Sequence, residues 1–202
     1  MELPVTGAKI VLFDLGGVLL PFDRERRVRA MTDALAITAE AARRFMASDI
    51  HTRLDVGEAS ETDVAAALSA VAGRAVSPAE TRALLLSVFE PPNLELWGLV
   101  SKLRQRSTVG GFSDNPAFVA ELFPPGAVLE PMFWSAELGL SKSGPEAFAA
   151  VSGRLGLDPA AIVFIDDSEA NVTRAKATGW DAIQFRTNEQ LIEALSERGL
   201  WS

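Results

Sequence analysis

The chain has 202 residues, which is one full domain with room for a smaller insertion, and its 48% hydrophobic and 23% charged residues exclude a disordered chain, a collagen-like repeat and a coiled-coil rod. With 27 acidic against 19 basic side chains the net charge is −8, the wrong sign for a generic partner of nucleic acid or of an anionic membrane. No cysteine and a single histidine, His51, remove disulfides, thiolate chemistry and histidine-cluster metal sites, so any chemistry must rest on carboxylates, hydroxyls, Lys, Arg and backbone.

In chain order, Ile10-Val11-Leu12-Phe13 is a continuous apolar run ending at Asp14 and the Gly16-Gly17 pair. Such a run predicts a strand buried on both faces in a parallel sheet. The apolar stretch that continues to Phe22 is too short to cross a bilayer and carries Asp14 inside it. It also lacks the basic flank and cleavage site of a signal peptide, so a cytoplasmic protein with no membrane partner is expected. From about Arg24 to Glu90 no strand is predicted. Val28, Met31 and Leu35 form one helical apolar stripe, Val64, Leu68 and Val71 another, and Ser77-Pro78-Ala79-Glu80 reads as a capping box. Pro91-Pro92-Asn93 marks the return to the main domain.

Leu94, Trp97 and Val100 then recur at helical spacing before a second strand, Thr108 to Phe112, which ends at Ser113-Asp114. Met132-Phe133-Trp134 is a further strand candidate. Ser143-x-x-Glu146, with Pro145 near the first turn, reads as a capping box opening a helix through Phe148, Val151 and Leu155. Asp158-Pro159 and Thr187-x-x-Gln190 cap two more helices, Ala161 to Ile165 is a strand ending at Asp166-Asp167, Asp181 to Phe185 is a weaker one, and Gly199 stops the last helix. This alternation predicts an α/β fold, a doubly wound, mainly parallel Rossmann-like sheet of residues 1–20 and 93–202, with residues 21–92 inserted as a helical cap after the first strand.

In an open parallel sheet ligands collect at the carboxyl ends of the strands. Strands ending in Asp14, Ser113-Asp114 and Asp166-Asp167 bring those groups to one edge. Clustered carboxylates repel one another unless a cation neutralises them, and oxygen ligands favour a hard ion such as Mg²⁺. Lys142, on the turn Gly139-Leu140-Ser141-Lys142-Ser143-Gly144, can add a positive charge to that edge, completing a set suited to handling phosphate. Any one of these aspartates alone could equally be a helix N-cap.

The ordered segments Phe13-Asp14-Leu15-Gly16-Gly17-Val18-Leu19, Phe112-Ser113-Asp114-Asn115, Leu138-Gly139-Leu140-Ser141-Lys142-Ser143-Gly144-Pro145-Glu146 and Phe164-Ile165-Asp166-Asp167-Ser168-x-x-Asn171 resemble the four motifs of the haloacid dehalogenase (HAD) superfamily. The insert lies where that superfamily carries its C1 cap. The pattern is most similar to the subgroup of glucose-1-phosphatases and the phosphatase-like domain of epoxide hydrolases. The resemblance implies a Mg²⁺-dependent phosphatase of a small phosphorylated metabolite. Asp14 would be the nucleophile that becomes an aspartyl phosphate, and Ser113 and Lys142 would complete the catalytic set. Ser113, Asp114, Lys142, Leu15 and Gly16 would surround the phosphate. Asp14, the Gly16 carbonyl, Asp167 and Asp166 would hold the metal, and Asn171 would support the loop. No oligomeric state is implied.

Three positions depart from the pattern. Family phosphatases carry a second Asp two residues after the nucleophile as general acid; here that position is Gly16. General acid catalysis contributes about 10²–10⁴-fold, so its loss is substantial. Asp114 replaces a frequent Asn and is expected to turn away and cap the next helix, near Pro116. Ser143-Gly144 replaces a frequent Pro-Asp pair. Asp23 reads as an N-cap or as a substitute acid, and Arg24, Arg26, Arg27 and Arg29 read as a solvated helix face paired with Glu25 or as contacts for an anionic substrate. His51 is assigned no role. Two alternatives accompany the phosphatase reading. One is a degenerate family member that binds without turning over; the other is a 2-haloacid dehalogenase, against which the Asp166-Asp167 pair argues.

Overall fold

The computed structural model describes residues 9–201. Five strands form one parallel sheet: β1 (Ile10–Phe13), β2 (Thr108–Ser113), β3 (Met132–Trp134), β4 (Ile162–Asp166) and β5 (Asp181–Gln184), in the order β3-β2-β1-β4-β5. The central strand β1 is in register with both neighbours, Phe13 lying opposite Gly111 on β2 and Ile165 on β4. From β1 the chain builds outward through β2 to β3, then crosses back and builds through β4 to β5. The winding therefore reverses between β1 and β4, and a crevice opens at such a switch point beyond the strand ends.

Alternation along the strands sends side chains to two separate cores. Val11, Phe13, Val109, Val163, Ile165 and Ile183 pack on one face beneath α6 (Leu94–Leu103) and α10 (Asn188–Glu197). Ile10, Leu12, Phe112, Ile162, Phe164 and Ala182 pack on the other beneath α8 (Pro145–Leu155) and α9 (Glu169–Ala177). A short helix, α7 (Ser135–Leu138), follows β3 directly. The second face carries an aromatic cluster in which Phe112, Phe148, Phe164 and Trp180 meet mostly edge to face, an arrangement favoured by the ring quadrupole.

The residues between β1 and α6 form five helices: α1 (Arg24–Leu35), α2 (Ala39–Met46), α3 (Asp49–Asp55), α4 (Glu61–Ala72) and α5 (Pro78–Leu86). They bury a core of their own, in which Val28, Met31, Leu35, Phe45, Leu54, Leu68 and Leu84 take part. The chain enters and leaves this bundle side by side. Phe22 and Phe89 form an antiparallel bridge, Asp23 N donates to Val88 O at 2.8 Å and Glu90 N to Pro21 O at 2.7 Å. Among the described residues no helix is long and apolar enough to cross a membrane.

Several local expectations change. No capping box opens α8: its N-cap is Gly144, without a side-chain bond, because the preceding turn bends Ser141 toward Asp114 and Ser143 N donates to Ser141 Oγ. Asp158 caps only a three-residue 3₁₀ turn, Pro159–Ala161, so β4 starts at Ile162. At Ser77 the box is half formed; Ser77 Oγ accepts from Glu80 N, but the Glu80 carboxylate pairs with Arg74. Val71 is 39% exposed, and Val76, whose N–H donates to Ser69 Oγ at 2.9 Å, folds back and takes the buried place.

Candidate active site

The site grows from the ends of β1 and β4. Asp14 follows Phe13 and is buried; its Oδ1 accepts from Leu15 N at 2.7 Å and lies 2.9 Å from Lys142 Nζ. Asp166, the last residue of β4, is fully buried, and its Oδ2 accepts from Lys142 Nζ at 2.7 Å. Asn171, on the first turn of α9, donates from Nδ2 to both Asp166 oxygens at 3.1 Å, while Ser168 N donates to Oδ1 at 2.9 Å. Lys142 itself is 1% exposed, its ammonium set 5.7 Å from the Phe112 ring centre and 5.5 Å from that of Phe164. A buried lysine is tolerated only where anions compensate it, and here two carboxylates and two ring faces do so.

One ammonium cannot neutralise this set. Ligand atoms of Asp14, Asp166 and Asp167 all lie within 4.8 Å of one another. Burial, opposed by Lys142 and reinforced by Asp166, pushes the Asp14 carboxyl up to about 8. Burial would lower the Lys142 ammonium, but Asp14, Asp166 and Asp114 outweigh it and hold its pKa above the usual lysine value. Burial, together with Asp166, also raises Asp167. A pocket of three crowded oxygen ligands, one of which retains a proton, is short of positive charge, and a hard dication matches both the donor type and the deficit. Gly17 is essential to this arrangement. Its φ is +77°, and a Cβ there would fall 2.3 Å from Asp167 Oδ2.

Ser113, at the end of β2, is fully buried, and its Oγ accepts from Asn115 Nδ2 at 3.0 Å. Asp114 does not cap the next helix. Its carboxylate accepts from Ser141 Oγ at 2.9 Å and from Lys142 N at 2.9 and 3.1 Å. The 3₁₀ turn at Ala117–Leu122 is left without a side-chain cap. The physical reason is the Ser141–Gly144 turn, which presents a hydroxyl and a backbone N–H beside the end of β2. Asp114 thereby fixes the loop that carries Lys142, and its charge is directed at donors.

A cavity of about 560 Å³ lies over this edge, with Gly16, Asp114 and Asn115 on the sheet side and α1, α2 and α3 opposite. That volume suits a small metabolite. The arginines of α1 are not one solvated face. Glu25 pairs with Arg43 at 2.7 Å and Arg29 with Asp23, which is the α1 N-cap through Glu25 N. Arg27 instead turns inward, hydrogen-bonds the Leu85 carbonyl and lines the cavity, because α1 packs against α5 and brings that carbonyl within its reach. Three cavity residues carry no motif signal: Arg27, His51 and Asp55. Arg27 Nε and His51 Nε2 are buried without a protein partner. Burial, and then Arg27, lower the His51 imidazole to about 4, so it is neutral at pH 7. His51 and Asp55 stand four apart on α3, a spacing that places both on one helical face and was the only available clue. Of the anticipated site residues, Asp14, Lys142, Asp166 and Asp167 lie together and Asn171 joins them through Asp166; Leu15 N is bonded to Asp14, Gly16 and Asp114 line the cavity, and Ser113 ends the neighbouring strand β2.

The chain matches the haloacid dehalogenase-like hydrolase family over residues 8–179, most of its length, and belongs to that family. It is 25% identical over 187 residues to a D-ribitol-5-phosphate phosphatase of Bacteroides thetaiotaomicron, covering 87% of this chain and 91% of that protein. A HAD family enzyme of the same organism, solved in complex with magnesium and inorganic phosphate, superposes with a TM-score of 0.79 at 26% identity, covering 90% of this chain and 96% of the other. A 2-haloacid dehalogenase from Pseudomonas syringae shares the fold at a TM-score of 0.65 and 19% identity, covering 95% of this chain and 100% of the other.

Proposed function

We propose that this chain is a Mg²⁺-dependent phosphatase that hydrolyses a small phosphorylated metabolite through an aspartyl phosphate on Asp14. The observation that carries this reading is Lys142 Nζ, held 2.9 Å from Asp14 and 2.7 Å from Asp166 at the switch point of the sheet, with Asp167 alongside. Similarity to a sugar-alcohol phosphate phosphatase and to a magnesium- and phosphate-bound family enzyme supports it.

Asp14, Asp167 and the Gly16 carbonyl would hold Mg²⁺, with Asp166 as a further acidic partner; the ion would supply charge to the phosphoryl oxygens and to the crowded carboxylates. Leu15 N and Lys142 orient the Asp14 carboxylate for attack on phosphorus. The Ser113 hydroxyl, held by Asn115, donates to a phosphoryl oxygen, and the Lys142 ammonium balances charge as the P–O bond to the leaving group breaks. The five-helix bundle, as a cap over residues 21–92, surrounds the leaving group and limits its size.

The test is hydrolysis of a panel of sugar, polyol and nucleotide phosphates with Mg²⁺ or with EDTA. Turnover present only with the metal is the expected result. Binding of these esters without turnover would make the chain a degenerate binding protein instead, and halide release from 2-haloacids in EDTA would make it a dehalogenase.

A further inference from the structure

Gly16 leaves the expected general acid without a side chain, and the leaving group of an alkyl phosphate still needs a proton. Three carboxylates line the cavity beyond the phosphate edge: Glu25, Asp55 and Asp114. Glu25 is ion-paired with Arg43 and its side chain is 52% exposed. Asp114 is fully engaged by Ser141 and the Lys142 backbone. Asp55 alone has neither an ion pair nor a hydrogen bond to its carboxyl among the described residues, although its backbone is anchored where Ser135 Oγ donates to the Asp55 carbonyl. Its place is thus fixed by the main chain, and its side chain remains unclaimed within the cavity that also contains Gly16.

We propose that Asp55, from the last turn of α3, is the proton donor to the leaving oxygen, replacing the acid absent at position 16. The inference rests on the phosphatase reading above. As Asp14 forms its bond to phosphorus, the bond to the leaving oxygen breaks, its electron pair stays on that oxygen, and the Asp55 carboxyl proton moves onto it. In the second step water attacks the aspartyl phosphate, its proton passes to the Asp55 carboxylate, and free Asp14 and protonated Asp55 are restored. The surroundings keep this acid protonated near neutrality. Burial, and then Asp114, raise it to about 7 against the opposing pull of Arg27, the cation facing it from α1; Arg24 acts on Arg27, and His51 on the same helix is neutral. Arg27 Nε and His51 Nε2, unpaired in the same cavity wall, are donors or acceptors available to hydroxyls of the leaving alcohol. The substrate class is therefore an alkyl phosphate of a small polyhydroxy compound, whose alkoxide is too basic to leave unprotonated.

Leaving-group dependence separates this role from a structural one. In Asp55→Asn, the single-turnover release of the alcohol from polyol and sugar phosphates should slow by about 10²–10⁴-fold, whereas the single-turnover release of para-nitrophenolate, which leaves without a proton, should change by less than about threefold; steady-state turnover of both esters is slowed at the shared hydrolysis of the aspartyl phosphate. The wild-type kcat on alkyl phosphates should decline above neutral pH, and that limb should vanish in the variant. Gly16→Asp in the Asp55→Asn background should restore alkyl turnover, because a Cβ at position 16 meets only Phe22 and Phe89, each at 3.8 Å. Equal losses in the leaving-group release step on both ester types, or an unchanged release rate on alkyl esters, would overturn the assignment while leaving the phosphatase reading intact. Absence of metal-dependent turnover in the wild type would overturn both.

Discussion

Asp14→Asn is expected to lose turnover by on the order of 10⁴-fold or more, with the fold retained. The amide keeps the shape of the carboxylate and can still accept from Leu15 N, but it offers phosphorus no anionic nucleophile. Stability should move in the opposite direction. Burial pushes the Asp14 carboxyl from 3.8 up to about 8, so the folded protein binds more protons than the unfolded chain between those values. Stability therefore falls as pH rises through that window, and Asn, which never ionises, removes the decline. Metal-free Asp14→Asn should melt above the wild type, by a margin that widens from pH 5 to pH 8. Saturating Mg²⁺ should narrow it, because the ion stabilises the wild-type anion. Thermal denaturation at the two pH values, with and without Mg²⁺, measures this; a margin that does not depend on pH would contradict the charge deficit described for the site.

Lys142→Met should be the most destabilising single change at the site. It removes the one buried cation between Asp14 and Asp166, and breaking a buried pair by deleting one partner costs about 3–5 kcal/mol. Methionine fits between the Phe112 and Phe164 rings, so lost charge and not lost volume sets the size of the effect. Turnover should fall by about 10²–10³-fold, the usual cost of removing a preorganised electrostatic group. Lys142→Arg should not rescue it, since the planar guanidinium is larger than the buried space an ammonium fills between Asp14, Asp166 and the two rings. Urea denaturation and kcat on the best substrate report the two losses separately. A midpoint within error of the wild type would mean that Asp14 and Asp166 are already held by protons and need no ammonium.

The sheet and the charged edge were legible because buried parallel strands leave a plain trace, continuous apolar runs cut off by an aspartate or a serine. Asp14, Ser113 and Asp166 fall at the ends of such runs, and strand order alone then brings them together. Lys142 was legible as a charge on a glycine-rich turn. What lies on the far side of the cavity was not. Four arginines crowd the start of α1, and only the packing of α1 against α5 selects Arg27 to point inward. His51 and Asp55 stand on a seven-residue helix whose orientation depends on tertiary contacts. The place of Asp114 was not legible, because its partners, Ser141 and Lys142 N, come from a loop remote in sequence. Gly16 and Gly17 read as one turn, yet they differ in tolerance: a side chain at 17 would strike Asp167, and one at 16 would enter open contact with two aromatic rings.

The two chain crossings into the helical bundle are laced together by the Phe22–Phe89 bridge and its flanking hydrogen bonds. All five helices of the bundle, and Asp55 with them, are thus joined to the sheet domain through this one double crossing, while the bond from Ser135 to the Asp55 carbonyl and the Arg82–Glu121 pair seat the bundle at other points. The proposed nucleophile follows the central strand and the proposed acid ends a helix of the bundle. Their meeting is therefore a property of how the bundle is seated, and a change that loosened the seat would cost the acid its place without touching the nucleophile.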